Sequence, residues 1–500
     1  MIKRSNHPVI IGVGQVSHRE KILDDSLSVF DLVKMAVNSC VEDCERADIL
    51  KFVDVLSVVS IFSEHRESPV AKICGKLGIN PGLCEETSIG GNFPQWLVNR
   101  ASDKIMAGDF KVALLVGGEA LYCDKNFRQL IDLKKLQERF ANDPSIVGEV
   151  LCGETPWEIL HGADRATHIY PLFENALRAH LKMSLPEHRS FLRTYFGNMS
   201  AAAAESPYAW NKGAAAPVDI TEPTEKNPIY NFPYTKYMNP AISVNQAAAL
   251  ILTDTDTARK LGIPRDKWVY PHGGSEAKDK WYVSQRLAYH NSAVVRFTAE
   301  AALKSAGLDL SEIDFFDLYS CFPCATIISA MEIGLPVDDL PPLSITGGLC
   351  CFGGPGNNYT MHSIAHAVHR LRKHPEEFGM VTGVGYFLTK HAVGIYSGVE
   401  PEKTWSREPA ETVQARIDAL ESPVFCAKPN GRATVETYTV LHDTPDGEPF
   451  PIIIARLDSG ERCFATTPKG SELTVMMEQS EFIRYKGHVR SGGTGPNLFS

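Results

Sequence analysis

Two stretches of this sequence repeat each other at nearly one fixed separation. Phe52-Val-Asp54 is echoed by Phe315-Phe-Asp-Leu318, and Val116-Gly-Gly118 is echoed by Val381-Thr-Gly-Val-Gly385. The two pairs are offset by 263 and 265 residues. Self-similarity at one period is the signature of a structural unit that occurs twice. The sequence therefore predicts two similar halves that pack together.

Each half alternates short apolar runs with segments of helical periodicity. Val53–Val59 and Val112–Val116 are rich in β-branched residues and predict buried strands. Phe297–Gly307 has amphipathic spacing and ends in a glycine that suits a helix C-cap. Alternating strands and helices of this kind indicate an α/β fold with a largely parallel sheet.

The predicted domain organisation has four parts. Residues 1–124 and 240–262 form the first half, and residues 263–405 form the second. The segment 125–239 is charged and rich in Pro, Trp and Tyr, with predicted helices at 168–181 and 186–204. We interpret it as an inserted helical cap over a site that the two halves form.

The last part, residues 406–500, changes to alternating strand patterns. Thr434–Val440, Pro449–Leu457 and Arg462–Thr467 are separated by turn sequences such as Asp443–Gly447. A small β-barrel of the oligonucleotide-binding (OB) type is predicted. The segment lacks a dense basic and aromatic surface, so packing within the chain is expected rather than nucleic-acid binding.

Charge and cysteine content limit the possible partners and compartments. The net charge of −10 and the pI of about 5.9 argue against nucleic-acid or anionic-membrane surfaces. No apolar run has the length of a signal-peptide core or a membrane span. The 12 cysteines lie in apolar contexts, which is typical of reduced thiols in a cytoplasm. Cys321, Cys324, Cys350 and Cys351 leave zinc binding or redox chemistry as alternatives, but buried small side chains are expected and no metal is predicted.

The most informative stretch for function follows the predicted strand Phe315–Leu318. Tyr319, Ser320 and Cys321 come where that strand ends and an apolar helix begins. Ligands of open α/β sheets bind outside the carboxyl ends of the strands. These side chains are therefore candidates for a functional site, and a simple strand-to-helix cap is the alternative.

The duplicated halves, the insertion and the glycine-rich strand ends resemble the layout of the thiolase superfamily over residues 8–400. The closest resemblance is to thiolase-like proteins related to sterol-carrier-protein thiolase, with a barrel added after residue 405. It implies a duplicated thiolase fold, with two βαβαβαββ halves in five layers. It also implies CoA or an acyl-CoA as the small-molecule ligand without a tightly bound cofactor, no membrane, and a possible homodimer.

The catalytic motifs of that family are altered in this sequence. The block with the nucleophilic cysteine reads Ser88-Ile-Gly-Gly91, and the Asn-Glu-Ala-Phe or His-Asp-Cys-Phe block reads Tyr319-Ser-Cys-Phe322. The Gly-His-Pro block reads Gly353-Gly-Pro355, and the final Cys-x-Gly block reads Gly383-Val-Gly385. Ordinary thiolysis is therefore not expected, because a hydroxyl needs an adjacent base to replace a cysteine nucleophile.

The resemblance still implies a retained pocket, with glycines leaving room near its floor. The predicted catalytic residues are Tyr319, with Ser88 and Cys321 as secondary candidates. The predicted substrate-binding or CoA-binding residues are Gly90, Gly91, Asn92, Asn239, Ser320, Gly353, Gly354, Pro355, Asn357, His362, Gly383 and Gly385. His362, His366 and His369 share a helical face, which permits a metal site but is more typical of a helix stripe.

The leading functional prediction is an acyltransferase-related enzyme of lipid metabolism. It would transfer an acyl group, or make or break a carbon–carbon bond, on a CoA thioester without the usual cysteine pair. Tyr319 would transfer a proton or stabilise an oxyanion. One alternative is a retro-aldolase acting on a β-hydroxyacyl-CoA, a reaction that some thiolase-like proteins run with tyrosines. Another is a protein that binds CoA or acyl-CoA without catalysis.

Overall fold

The structure is a computed structural model, and it describes residues 6–20, 27–64, 67–122, 133–211 and 216–500. The predicted boundary between the first half and the insertion, at residues 124 and 125, lies outside these ranges. Three β-sheets organise the described residues. No helix among them has the length and apolarity that crossing a membrane requires.

The first α/β half alternates strands and helices as its sequence pattern predicts. The capping box of its first helix shows the local cause: the Ser28 hydroxyl accepts from the Asp31 amide, and the Asp31 carboxylate accepts from Ser28. Its elements are β1 (Pro8–Ser17), α1 (Val29–Asp43), β2 (Val55–Val58), α2 (Val70–Leu77), β3 (Leu83–Thr87), α3 (Phe93–Ala107) and β4 (Val112–Ala120).

The insertion is mainly helical in its described residues. It contains α4 (Leu133–Ala141), β5 (Ile146–Val147), α5 (Pro156–Leu160), α6 (Ala166–His180), α7 (Leu185–Glu205), α8 (Pro217–Thr221), β6 (Ile229–Asn231) and β7 (Tyr234–Thr235). The chain then returns to the first half through β8 (Asn245–Asp254) and α9 (Thr255–Lys260).

The second half and the C-terminal region complete the chain. The second half contains β9 (Tyr270–Lys278), α10 (Ala293–Ala306), β10 (Phe315–Asp317), α11 (Pro323–Ile333), α12 (Gly348–Cys351), α13 (Tyr359–Lys373), β11 (Phe378–Gly385) and β12 (Lys390–Ser397). The C-terminal region contains α14 (Ala410–Asp418), β13 (Asn430–Leu441), β14 (Phe450–Leu457), β15 (Arg462–Ala465), α15 (Glu472–Gln479), β16 (Lys486–Arg490) and β17 (Leu498–Phe499).

The two halves build sheets with the same strand order. The first sheet runs β1-β8-β4-β2-β3-β5, and the second runs β9-β12-β11-β10. β5 comes from the insertion and pairs in parallel with β3, so it covers the edge of that strand. The second sheet has no strand in the place that β3 takes in the first.

Five layers stack around a shared apolar core. Helices α3 and α13 lie side by side between the two sheets and contact strands of both. Helix α1 covers the outer face of the first sheet, and α10 with α11 covers the outer face of the second. A sheet that buries both faces needs nearly continuous apolar strands, as in Leu114–Val116 and Leu250–Leu252. The predicted duplicated, five-layered α/β arrangement is present, and the second half, within the described residues, differs from the first in lacking a strand that corresponds to β3.

The register of the duplication differs from the predicted one. Asp54 and Asp314 make the same backbone bond, from their amides to the carbonyls of Val112 and Phe378. The spacing is 260 residues from Val55 to Phe315, and 266 residues from Ala113 to Gly379. The prediction that Asp317 corresponds to Asp54 is therefore wrong by three residues, because the connections inside the two halves differ in length.

The C-terminal strands form a separate antiparallel sheet in the order β15-β14-β13-β16-β17. Backbone bonds join its two ends, because Thr466 donates to Asn497 and accepts from Phe499. Helix α6 packs against this sheet, where the Asn175 amide donates to the Tyr438 carbonyl at 2.9 Å. The C-terminal β domain thus packs on the insertion, and its assignment as an OB-type barrel stays a prediction.

Candidate functional site

The candidate residues lie on four chain segments that meet where the two halves touch. Residues 88–92 lead from β3 into α3, and residues 353–358 lead into α13. Residues 319–322 connect β10 to α11, and residues 383–385 end β11. Parallel strands place their carboxyl ends at one edge of a sheet, so the topology brings these segments together.

Side-chain bonds join the amino ends of α3 and α13 across the boundary between the halves. The Gly90 amide donates to Asn357 Oδ1 at 2.9 Å, and Asn357 Nδ2 donates to the Ser60 carbonyl at 3.0 Å. The Thr360 hydroxyl donates to the Gly91 carbonyl at 2.9 Å. Asn357 therefore holds the two loops in one arrangement.

Tyr319 lies at the centre of this junction. Its amide donates to Thr382 Oγ1 at 2.9 Å, and its ring packs edge-on against Tyr359 with centroids 5.7 Å apart. A Cβ atom added at Gly91 would lie 2.2 Å from the Tyr319 hydroxyl oxygen, so glycine at that position makes room for the phenol. That hydroxyl has no hydrogen-bond partner among the residues that the structure describes.

The protonation state of Tyr319 limits what it can do. Burial raises its pKa well above the ordinary value of 10, and the nearby Cys321 and Tyr359 act in the same direction. The group is therefore a neutral phenol at physiological pH. It can donate a hydrogen bond to a developing oxyanion, but it cannot serve as a base.

Ser88 has neither a base nor an acceptor beside it. Its side chain is 1% exposed, and its hydroxyl makes no hydrogen bond to a described residue. A Cβ atom added at Gly148 would lie 3.0 Å from Ser88 Oγ, so the loop of the insertion closes directly over it. A serine in this setting is not activated as a nucleophile.

Cys321 and Ser320 lie next to Tyr319 but do not supply a thiolate or an activated hydroxyl. Burial raises the pKa of the Cys321 thiol to about 12. The thiol therefore stays protonated and is a poor nucleophile. Ser320 Oγ lies 3.5 Å from the Tyr359 hydroxyl oxygen. Both side chains help to pack the start of α11.

Other protein atoms occupy the space beside the glycines at the strand ends. The prediction that these glycines leave room at a pocket floor is therefore wrong. A Cβ atom at Gly383 would lie 2.8 Å from the Cα of Asn92, and one at Gly385 would lie 2.5 Å from Asn92 Oδ1. Gly353 has φ near +114°, and its Cβ would lie 2.4 Å from Gln246 Oε1. These glycines let helix α3 and Gln246 approach the backbone closely.

The remaining glycine and proline of the second loop are also packed. The Gly354 amide donates to the Ala241 carbonyl at 2.9 Å, and the Pro355 carbonyl accepts from Asn358 at 2.9 Å. These bonds fix the turn that leads into α13. Among the predicted site residues, buried polar atoms without a hydrogen-bond partner in the described residues are Ser88 Oγ, Asn92 Oδ1 and His362 Nε2.

His362 and Asn239 have local roles in the structure. His362 Nδ1 lies 2.8 Å from Gln15 Oε1, and burial lowers the pKa of His362 to about 3. Asn239 donates from its side-chain amide to the carbonyls of Thr235 and Lys236 in its own turn. Within the described ranges, no three His, Cys, Asp or Glu side chains come together in a way that could hold a metal ion.

Similarity to a solved structure establishes the family of the chain. A monomeric SCP2-thiolase-like protein type 1 from Mycobacterium smegmatis is 31% identical, covers 99% of this chain and 98% of its own, and superposes with a TM-score of 0.84. The chain belongs to the SCP2-thiolase-like type 1 family. Residues 412–494 also match the family described as the thiolase-like protein type 1 additional C-terminal domain. The homodimer expected from the sequence stays a prediction.

More distant structures share the fold of this thiolase-like chain. The Ltp2-ChsH2(DUF35) aldolase is 14% identical over 78% of the chain and 97% of its own, with a TM-score of 0.59. An acetyl-CoA acetyltransferase from Syntrophomonas wolfei is 13% identical over 79% of the chain and 100% of its own, with a TM-score of 0.54. Among the curated proteins, none matches the chain.

Two buried ionisable residues of this thiolase-like chain escaped the sequence reasoning. Glu119 is the next-to-last residue of β4. Its carboxylate accepts from the Phe62 amide at 2.6 Å and from the Ser63 hydroxyl at 3.0 Å, and burial raises its pKa to about 7. A Cβ atom at Gly356 would lie 2.6 Å from its carboxylate. The Gly-Gly-Glu strand end was the available signal. The second residue, Lys390, opens β12 and had none, because its burial comes from residues distant in sequence.

Proposed function

We propose that this chain binds an acyl-CoA thioester and makes or breaks a carbon–carbon bond in it without forming an acyl-enzyme. The observation that carries this proposal is the Tyr319 hydroxyl, a neutral donor without a partner among the described residues at the junction of the halves. A preorganised donor of this kind stabilises an enolate or another oxyanion as it develops.

The surroundings favour a non-covalent route over thiolysis. A covalent route needs a thiolate or an activated hydroxyl, and Ser88 and Cys321 supply neither. A route through an enolate needs a hydrogen-bond donor and a base only. Tyr319 supplies the donor.

Retro-aldol cleavage of a β-hydroxyacyl-CoA is the version of this chemistry that needs the fewest catalytic groups, a base and a hydrogen-bond donor. A base takes the proton of the β-hydroxyl group, the bond between Cα and Cβ breaks, and the enolate oxygen of the thioester accepts from Tyr319. Glu119 is the proposed base, because its carboxylate lies against Gly356 in the loop that leads into α13 and burial raises its pKa to about 7. The likeness to the Ltp2-ChsH2(DUF35) aldolase is limited to the fold at 14% identity and adds no argument about the reaction.

Binding of acyl-CoA without catalysis is the second candidate function. The close packing of the site favours it, since Tyr319 is 6% exposed and Ser88 is 1% exposed. A substrate would need to displace protein atoms from both residues. A ligand bound at the rim of this junction would not.

The first experiment is calorimetric titration with CoA, acetyl-CoA and a long-chain acyl-CoA, followed by assays of β-hydroxyacyl-CoA and β-ketoacyl-CoA cleavage. Tyr319→Phe should keep the binding affinity and lower turnover about 10²–10³-fold, as expected for one lost oxyanion donor. Tyr359→Phe is the matched control, because that phenol is already bonded to Thr346.

Each outcome of these assays separates the candidates. An equal loss of turnover in the two variants would argue against a specific role for Tyr319. Binding without cleavage of either thioester would favour the non-catalytic candidate. Absence of binding to all three ligands would overturn the acyl-CoA proposal.

A further inference from the structure

A cavity of about 550 Å³ lies beside the junction of the halves. Helix α3, strands β9 and β12 and helix α14 form its walls. It reaches the candidate site through Asn92, and Phe93, Trp96, Lys278, Lys390 and Gln414 also line it. This volume is in the range of small-molecule sites.

Lys390 is the unusual residue of this cavity. It is 5% exposed, and its Nζ donates to the Ile89 carbonyl at 2.6 Å. The same atom lies 4.6 Å from the ring centroid of Phe93, 5.0 Å from that of Tyr386 and 5.7 Å from that of Trp281. A carbonyl and three aromatic rings thus surround an amine that a surface lysine would expose to water.

Three of the acidic side chains that line the cavity bond to residues other than Lys390, and the fourth, Glu411, forms no ion pair with Lys390. Glu276 pairs with Arg407 at 2.6 Å, Glu149 pairs with Lys278, and Asp418 accepts from Gln414 at 2.9 Å. In the described part of the chain, Lys390 forms no ion pair with a carboxylate. Burial first, and the charge of Lys278 second, lower the pKa of Lys390 to about 7. A large share of this amine is therefore uncharged and nucleophilic at neutral pH.

Asn92 places a buried polar acceptor beside the backbone from which the Lys390 side chain extends. Its Oδ1 atom is buried and has no hydrogen-bond partner in the described residues. A Cβ atom at Gly385 would lie 2.5 Å from Asn92 Oδ1 and 3.3 Å from the Cβ of Lys390, so the two side chains flank the same glycine. The cavity therefore combines a nucleophilic amine, an unsatisfied acceptor and an apolar wall.

We propose that this cavity binds a small aldehyde or ketone and that Lys390 holds the compound as an imine. The amine nitrogen attacks the carbonyl carbon to give a carbinolamine. The carbon–nitrogen bond becomes a double bond as the carbonyl oxygen leaves as water with both amine protons. No oxidation state changes. The inference does not depend on acyl-CoA binding at the Tyr319 site.

Reductive trapping tests the proposal on the intact protein. Benzaldehyde with sodium cyanoborohydride at pH 7.5 converts an imine into a stable benzylamine, which peptide mass spectrometry locates. Lys390 should be labelled at least 10-fold faster than Lys304, whose side chain is 79% exposed. Labelling of Lys390 at or below the rate of Lys304 would overturn the proposal.

Two variants show whether the cavity itself is responsible. Ala415→Trp places a large side chain from α14 in the cavity and leaves the Lys390 amine unchanged. It should abolish labelling at Lys390 and leave labelling at Lys304 unchanged, and unchanged labelling at Lys390 would show that the reaction occurs outside the cavity. Lys390→Met should remove the fast-labelled site, whereas Lys304→Met should keep it. If either cavity variant fails to fold, the comparison of rates within the wild-type chain decides the question.

Discussion

The two α/β halves differ in what packs beside two corresponding strands, β2 and β10. In the first half, β3 pairs with β2 through its backbone, and Ser57 on β2 donates to Glu85 at 2.7 Å. In the second half, β11 lies on one side of β10, and no described strand lies on its other side. A coil at residues 343–346 takes that place, held by the carboxylate of Asp317, the residue that corresponds to Ser57.

Asp317 replaces a backbone ladder with one side chain. Its Oδ2 atom accepts from the Ser344 hydroxyl at 2.9 Å, the Ile345 amide at 2.9 Å, the Thr346 amide at 3.1 Å and the Thr346 hydroxyl at 3.0 Å. Thr346 in turn contacts the Tyr359 hydroxyl, and Tyr359 packs on Tyr319. Residues 343–346 therefore form a coil instead of a strand, and this coil supports the Tyr319–Tyr359 pair of the candidate site.

The largest expected effect comes from removing this carboxylate. Asp317→Ala removes the shared acceptor of a buried hydrogen-bond network, leaves the Ile345 amide without an acceptor among the described residues, and should lower the free energy of unfolding by about 3–5 kcal/mol. Ser57→Ala, the matched change in the first half, should cost about 1 kcal/mol because the β2–β3 ladder remains. Guanidinium unfolding measures both. Equal losses would contradict the view that only the second half depends on a side chain.

A smaller loss of stability is expected at Gly91, where the first half accommodates the Tyr319 side chain of the second half. Gly91→Ala would place Cβ 2.2 Å from the Tyr319 hydroxyl oxygen and 2.7 Å from the Val384 carbonyl. Overpacking of this kind should lower stability by about 1–3 kcal/mol. Adding Tyr319→Leu should restore part of the loss, which a double-mutant cycle measures as coupling.

The control for this pair is Gly75→Ala on α2. A Cβ atom at that position meets nothing within 4 Å, and alanine favours a helix, so stability should rise by up to about 1 kcal/mol. A loss in Gly75→Ala similar to that in Gly91→Ala would indicate a general intolerance of glycine replacement. The specific fit between Gly91 and Tyr319 would then lose its support.

The stability also depends on pH, with opposite signs in the two halves. The folded state raises the pKa of Glu119 from 4.5 to about 7, so its contribution is complete below pH 4.5 and is lost as pH rises through 7. Lys390 has its pKa lowered from 10.5 to about 7, so its penalty is complete below pH 7 and disappears toward pH 10.5. Each slope is at most about 1.4 kcal/mol per pH unit.

Thermal unfolding of two variants, measured from pH 4.5 to 10, separates the contributions of Glu119 and Lys390 to the pH dependence of stability. Each variant replaces the ionisable side chain with an uncharged one of similar size. Glu119→Gln should flatten the fall in stability between pH 4.5 and 7. Lys390→Met should flatten the rise above pH 7 and leave the acidic side unchanged. Parallel curves for a variant and the wild type would show that the residue does not titrate as its burial implies.

Sequence reasoning found the chain segments of the candidate site more reliably than their contacts. Tyr319 and Gly91 meet at the junction of the halves, as the strand-end argument predicts. Asn239 uses its side-chain amide in a local turn, and its role in binding stays a prediction. The glycine-rich ends suggested empty space, but Asn92 and Gln246 fill it.

The sequence by itself determined the α/β class, the duplication and the family resemblance, because periodicity and repeated motifs are written in neighbouring residues. Only the tertiary structure decided the register of the two halves, the coil that replaces a strand beside Asp317, and the burial of Glu119 and Lys390. These features depend on residues far apart in the chain, whose side chains meet only after the helices and sheets have packed. A pKa or an unsatisfied acceptor is a property of that packing, so no local pattern could have revealed it.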